Sequence, residues 1–235
     1  MAPADVAAGS APGPALLLFY GGTFDPIHNG HLAIARHARD ELAVPVRLMP
    51  AADPPHRPPP GADAAQRTRM LELAIAGEPG LQVDTRELQR AARQPGVPSW
   101  SVDTLREIRA ETGAAQPLAL LMGADSLLGL PTWHEWEHLL DLAHIVVADR
   151  PGSVLETAMP AVLERRLQGA WADAPACLRE RAAGRVWRLR QPLQAESATA
   201  VRRLIASGGD WQQLLPAAVA GYVAAHGLYG CGATT

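Results

Sequence analysis

The chain has 235 residues, 48% of them hydrophobic, and a formal net charge of −3. That length and apolar content suit one α/β domain, or one with a small helical appendage, and exclude a chain disordered throughout. The slight acidity leaves no electrostatic footprint for a nucleic-acid polymer, whereas a small phosphorylated ligand needs only a few local charges. Two cysteines, Cys177 and Cys231, stand in no metal-ligand or redox spacing, so a reduced compartment is the simple reading. The opening MAPADVAAGSAPGP has no basic segment and no continuous apolar core. Residues 1–14 therefore read as a disordered tail and not as a secretory signal. No apolar run is long enough to span a bilayer, and a cytoplasmic location without a membrane partner is expected.

Short apolar runs alternate with longer helical patterns. Leu16–Tyr20 is nearly all apolar, as a strand buried on both faces would be. His31–Leu42 carries Leu32, Ala35, Ala38 and Leu42 at helical spacing, and Val44–Met49 follows as a second strand. A Pro-rich loop covers Asp53–Gly61. Asp63–Ala76 reads as a helix capped by Asp63, with Met70, Leu71 and Ala74 on one face. Leu81–Val83 is a weak strand, and Asp84–Pro98 reads as a polar stretch. Ser101–Thr112 is a helix ended by Gly113. Leu118–Met122 is a strand, Thr132–Leu140 a short helix and His144–Ala148 a strand. Residues 151–184 read as helix and loop, and Val186–Leu189 as the last strand. Helices over Thr199–Ala206, Trp211–Leu215 and Ala217–His226 close the chain. This alternation predicts a Rossmann-like α/β fold: a parallel sheet with helices on both faces and a small C-terminal helical part. Ligands in such sheets bind beyond the carboxyl ends of the strands, where the strand order reverses.

The segment GGTFDPIHNGHL follows the first strand directly. Gly21 and Gly22 let the backbone turn sharply and approach a ligand, and Pro26 stiffens the loop. His28 and His31 are three residues apart at a helix start, so their rings can share one side. A helix start already offers free N–H groups and a partial positive charge to an anion. Two imidazoles added there make a phosphate clamp suited to nucleotidyl transfer, a reaction that aligns two anions and stabilises a departing pyrophosphate. A metal pair or a plain tight turn is the competing reading, but no third or fourth metal ligand sits at useful spacing.

The run T-F-D-P-I-H-N-G-H resembles the signature of the HxGH nucleotidylyltransferase superfamily, whose two histidines bind the ATP phosphates. Four further segments resemble bacterial nicotinate-nucleotide adenylyltransferases. Pro54-Pro55-His56-Arg57 is similar to that family's PPH[K/R] loop. Ser99–Leu105 is similar to its S-Y-T-x-x-T-L segment, with Trp100 in place of Tyr and Ser101 in place of Thr. Gly123–Leu140 resembles its G-x-D-S-L…P-x-W-x-x-W…L-L stretch. Glu196–Arg202 resembles its I-S-[S/A]-T-x-[I/V]-R motif, with Glu196 where Ile is usual. A carboxylate beside a phosphate site is unexpected, so Glu196 is expected to point to solvent. The closing Tyr222–Tyr229 is also similar, so the resemblance covers roughly residues 16–230.

The resemblance implies a nucleotidylyltransferase domain over 15–230, with C-terminal helices from about 197. It implies ATP binding by Gly21, Gly22, Thr23, Phe24, His28, His31, Gly123, Asp125, Ser197, Thr199 and Arg202, with His28, His31 and Arg202 catalytic. Arg57, Trp100, Ser101 and Trp133 would bind nicotinate mononucleotide. Trp136 is read as core. Mg²⁺ would arrive with ATP, with no protein side chain assigned as its ligand. The implied reaction yields nicotinate adenine dinucleotide and pyrophosphate, in NAD biosynthesis. Nicotinamide mononucleotide, or another phosphorylated acceptor such as phosphopantetheine, is the alternative substrate. A nucleotide-sensing module without chemistry is the alternative of another class. Oligomeric state is not legible in the sequence.

Overall fold

The computed structural model describes residues 14–52, 61–149, 155, 158–190 and 196–232. All but Pro14 of the expected N-terminal tail lies outside these residues. Among them, six strands form one sheet: β1 (Leu17–Gly22), β2 (Val46–Pro50), β3 (Leu81–Val83), β4 (Leu118–Gly123), β5 (His144–Ala148) and β6 (Val186–Arg188). Every pairing is parallel, in the order β3-β2-β1-β4-β5-β6. The helices are α1 (Asn29–Leu42), α2 (Ala64–Ile75), α3 (Arg86–Arg93), α4 (Ser101–Thr112), α5 (Ala124–Leu128), α6 (Leu139–Leu142), α7 (Ala161–Leu167), α8 (Ala198–Ala206) and α9 (Ala217–Ala225).

Alternate strand residues serve two apolar cores, one on each face of the sheet. Leu18 and Tyr20 of β1 join Leu48, Leu121 and Val146 with α1, α2, α8 and α9, through Leu32, Met70, Val201 and Val219. Phe19 faces the other way and joins Leu120, Met122 and Ile145 with α4 to α7, through Leu105, Leu127, Leu139 and Leu163. Each such side chain gains about 1.5–3 kcal/mol on full burial. Double-sided burial is why these strands read as unbroken apolar runs. The C-terminal helices α8 and α9 share the first core with α1 and α2.

Local chemistry sets several boundaries. Asp63 caps α2: its Oδ1 accepts from the Gln66 N–H at 2.7 Å, while Gln66 Oε1 accepts from the Asp63 N–H at 3.0 Å. Gly113 ends α4 with φ 89, a conformation that favours glycine.

Three expectations are corrected. The stretch read as polar holds α3, whose only buried residue is Glu87. It lacks an apolar stripe because it is held by polar contacts, including Arg90 to Glu107 at 2.7 Å and Arg86 to Glu111 at 3.0 Å. The expected single helix over Thr132–Leu140 is instead two 3₁₀ turns, Leu130–Thr132 and Trp136–His138, followed by α6. A positive φ of 48 at Glu135 separates the turns. Trp211–Leu215 likewise forms only a 3₁₀ turn, over Gln212–Leu214.

The chain runs outward from β1 through β2 to β3, then returns to place β4, β5 and β6 on the other side. The reversal lies between β1 and β4, and this is where a crevice opens at the carboxyl ends of an α/β sheet. Fully buried Arg67 of α2 closes the floor there. Its Nη1 donates to the carbonyls of Thr23 at 3.0 Å and Ala51 at 2.7 Å, tying the exits of β1 and β2 together. No helix among the described residues is long and apolar enough to cross a membrane.

Candidate active site

The crevice holds a cavity of about 650 Å³ lined by Gly21, Gly22, Thr23, Phe24, His28, His31, Gly123, Asp125, Ser197, Thr199 and Arg202. These are all the residues expected on the ATP side, drawn from the β1–α1 turn, the end of β4 and the start of α8. Within the turn the positive φ, 51, falls on Phe24. Gly22 is needed for space, because a Cβ there would meet the folded-back Phe24 ring at 3.0 Å.

His28 precedes the first turn of α1, and His31 lies one turn in. Their rings stack at 3.7 Å between centroids with 28° between planes. The His28 backbone N–H donates to His31 Nδ1 at 3.3 Å. That bond places the remaining His31 proton on Nε2 in the neutral ring. Burial, and secondly the neighbouring His28, hold His31 well below the usual imidazole range. His31 therefore enters the site neutral, as a hydrogen-bond donor. Its ring also meets the Phe24 edge at 5.1 Å.

Arg202 reaches across from α8. Its Nη1 donates to the Asp25 carbonyl at 2.6 Å and stands 3.6 Å from Asp25 Oδ2. Asp25 itself, 4% exposed, is a node that the sequence reading passed over. It accepts from the N–H groups of Gly61 at 2.7 Å and Ala62 at 3.0 Å, and from the Tyr229 hydroxyl at 2.7 Å. Burial, then the Asp25 carboxylate, push the Tyr229 hydroxyl far above the usual phenol range, so it stays a donor. Ser197 is the N-cap of α8, with its Oγ accepting from the Ala200 N–H at 3.2 Å.

Glu196 departs from expectation. It lines the cavity, and its Oε2 is buried. Gly30 makes room for it: a Cβ there would lie 3.1 Å from both Glu196 Oε2 and His28 Nδ1. The lining thus carries four carboxylates, Asp25, Asp125, Asp149 and Glu196. Asp25 is offset by Arg202 and Asp149 by Arg188 at 2.5 Å.

A second cavity, about 100 Å³, shares Gly21, Gly22, Thr23 and Ser126 with the first. Its walls include Ser99, Ser101, Trp133, Leu120, Met122 and Glu87. Ser101 and Trp133, both expected on the mononucleotide side, thus share one cavity. Ser101 is the first residue of α4 and not its cap, a position taken by Trp100. The Trp100 ring lines neither cavity and stacks instead on His134, 4.7 Å between centroids. Trp136 is partly buried against the second core, in keeping with its reading as core. Arg57 and its PPHR loop lie outside the described residues. Ser99, Ser126 and Glu87 were missed. Ser99 lies inside a quoted motif, but no apolar or motif signal marks Glu87. Burial raises the Glu87 carboxyl above the usual range, against opposing pulls from the Thr104 hydroxyl, Arg90 and the Ala52 N–H.

The chain matches the family model described as cytidylyltransferase-like over residues 19–204. It is 64% identical over 214 residues to the "Probable nicotinate-nucleotide adenylyltransferase" of Stenotrophomonas maltophilia (strain K279a), covering 91% of this chain and 96% of that one. The protein of the same name from Xylella fastidiosa (strain M12) is 48% identical over 217 residues, 92% and 97% of the two chains. Among solved structures, Plasmodium falciparum nicotinic acid mononucleotide adenylyltransferase complexed with NaAD superposes with a TM-score of 0.71 at 12% identity, over 93% of this chain and 99% of that chain. That likeness is one of fold, with the parallel sheet and its flanking helices in common. With the β1–α1 turn, the end of β4 and the start of α8 lining one crevice at the sheet's switch point, the chain belongs to the cytidylyltransferase-like family and, within it, to the nicotinate-nucleotide adenylyltransferases.

Proposed function

We propose that this chain transfers the AMP part of ATP to the 5′-phosphate of nicotinate mononucleotide, releasing pyrophosphate and forming nicotinate adenine dinucleotide. The carrying observation is the pair of joined cavities, one rich in anion-binding groups and one with a flat aromatic wall and hydroxyls, meeting at Gly21–Thr23. The names of the relatives support the same reading. The triphosphate would lie on His28, His31, Ser197, Thr199 and Arg202. The acceptor's ring would sit against Trp133 with Ser101 at its edge. The two phosphates then face one another over the β1 turn, so no protein nucleophile is needed. His28, His31 and Arg202 would donate to charge growing on the departing pyrophosphate.

Among the described residues, no group of three or more His, Cys, Asp or Glu side chains is placed to hold a metal ion. The lining's own charge nonetheless suits Mg²⁺ carried by the triphosphate; Asp125, in the cavity wall, would share the ion, which would offset phosphate charge.

The reading is tested by pyrophosphate release from MgATP with each mononucleotide. Nicotinate mononucleotide is expected to give a kcat/KM at least about tenfold above the amide. Preference for the amide would overturn the substrate assignment, and silence with both would favour the sensing module. A second expectation concerns Glu196. Glu196→Gln removes a formal charge from the triphosphate wall and should lower the KM for ATP about three- to tenfold. ATP titrations at fixed acceptor check this, and a raised KM would mean that the carboxylate assists binding.

A further inference from the structure

Glu87 joins parts of the smaller cavity that belong to different elements. It sits on α3, is 6% exposed, and lines the cavity with Ser99, Ser101 and Trp133. Its Oε1 accepts from the Thr104 hydroxyl of α4 at 2.8 Å. Ala52, just past β2, lines the same cavity, and its N–H favours the charged form of this carboxylate. Behind it, Arg90 Nη2 donates to Thr104 Oγ1 at 2.5 Å and to Ser99 Oγ at 2.6 Å, while Nη1 holds Glu107 at 2.7 Å. Ala52, Ser99 and Ser101 are all walls of the same cavity. Glu87 therefore stands in the wall between the exit of β2 and the start of α4, the two sides that a flat ring must fit between, and its bond to Thr104 fixes the second of them.

We propose that Glu87 is the positioning residue of the acceptor pocket: by holding Thr104 and the start of α4 in place across from Ala52 it preforms the slot for the pyridine ring, and it acts on the mononucleotide without acting on ATP. This rests on the proposed reaction. The carboxylate only accepts hydrogen bonds, whereas an amide of the same shape offers one accepting oxygen and one donating nitrogen. Glu87→Gln therefore removes the negative charge that faces Arg90 and turns an amide donor toward the Thr104 hydroxyl, whose proton then passes to the Trp100 carbonyl at 3.2 Å, which loosens the hold on the start of α4.

The test is calorimetric titration of nicotinate mononucleotide into the wild-type protein and into Glu87→Gln, alongside steady-state KM values for both substrates and thermal melts. The expected result is mononucleotide affinity weakened about tenfold or more, with the KM for ATP within about twofold of wild type. Glu87→Asp, which keeps two accepting oxygens on a shorter stem, should recover part of the loss. If wild type binds and Glu87→Gln binds equally well, the positioning role is wrong. It is also wrong if both KM values rise together, which marks a general loosening, or if Glu87→Gln does not fold while Glu87→Asp folds and binds both substrates normally. If wild type binds no mononucleotide, the proposed reaction fails first and this role with it.

Discussion

Replacing His28 with Ala should lower kcat about 100-fold or more while the far-UV spectrum and melting temperature stay close to wild type. The ring is 4% exposed and lines the larger cavity, so one side of it faces ligand space and not core. Its loss removes a donor at the proposed triphosphate and one partner of the His28–His31 stack. A charge-assisted bond that strengthens as pyrophosphate departs contributes to kcat more than to substrate affinity. The effect should therefore appear in single-turnover rates at saturating ATP. Near-normal turnover in a folded His28→Ala protein would show that the paired imidazoles do not assist the transfer.

Asp25→Ala should be more damaging overall, because it strikes fold and site together. The substitution leaves the N–H groups of Gly61 and Ala62 and the Tyr229 hydroxyl without their shared acceptor. Breaking a buried polar node of this kind costs about 3–5 kcal/mol. For a chain of this size, that is a melting temperature lower by roughly 6–20 °C. Arg202 also loses the carboxylate 3.6 Å from its Nη1, and with it part of its aim across the cavity. Activity should fall even below the melting transition, where the protein is still folded. Asp25→Asn, which keeps one accepting oxygen, should fall between wild type and Asp25→Ala in both measurements. Wild-type melting with Asp25→Ala would mean that the 61–62 turn and Tyr229 are held by other contacts.

The strands and most long helices could be read in advance because their signals are local. Leu16–Tyr20 and His144–Ala148 are apolar throughout, and only strands buried on both faces combine that composition with such short length. Asp63 and Gly113 mark helix ends through their own side chain or backbone freedom. α3 escaped for the converse reason: its helical surface is polar, and its single buried side chain, Glu87, is an acid. A periodic apolar pattern cannot reveal an element anchored by ion pairs to α4.

The order of residues along the chain was enough to assign the parallel sheet, the family motifs and the types of group that meet a phosphate, since these depend on spacing of a few residues. It could not say that Asp25 meets Gly61 and Tyr229, residues 36 and 204 positions away. Nor could it turn Glu196 inward beside Gly30, set the Trp100 ring on His134, or make Glu87 a wall of the smaller cavity. Side-chain direction at these positions depends on which distant backbone leaves a gap or a lone donor. Burial and hydrogen-bond satisfaction are settled between elements once the sheet has closed, and no local pattern encodes them.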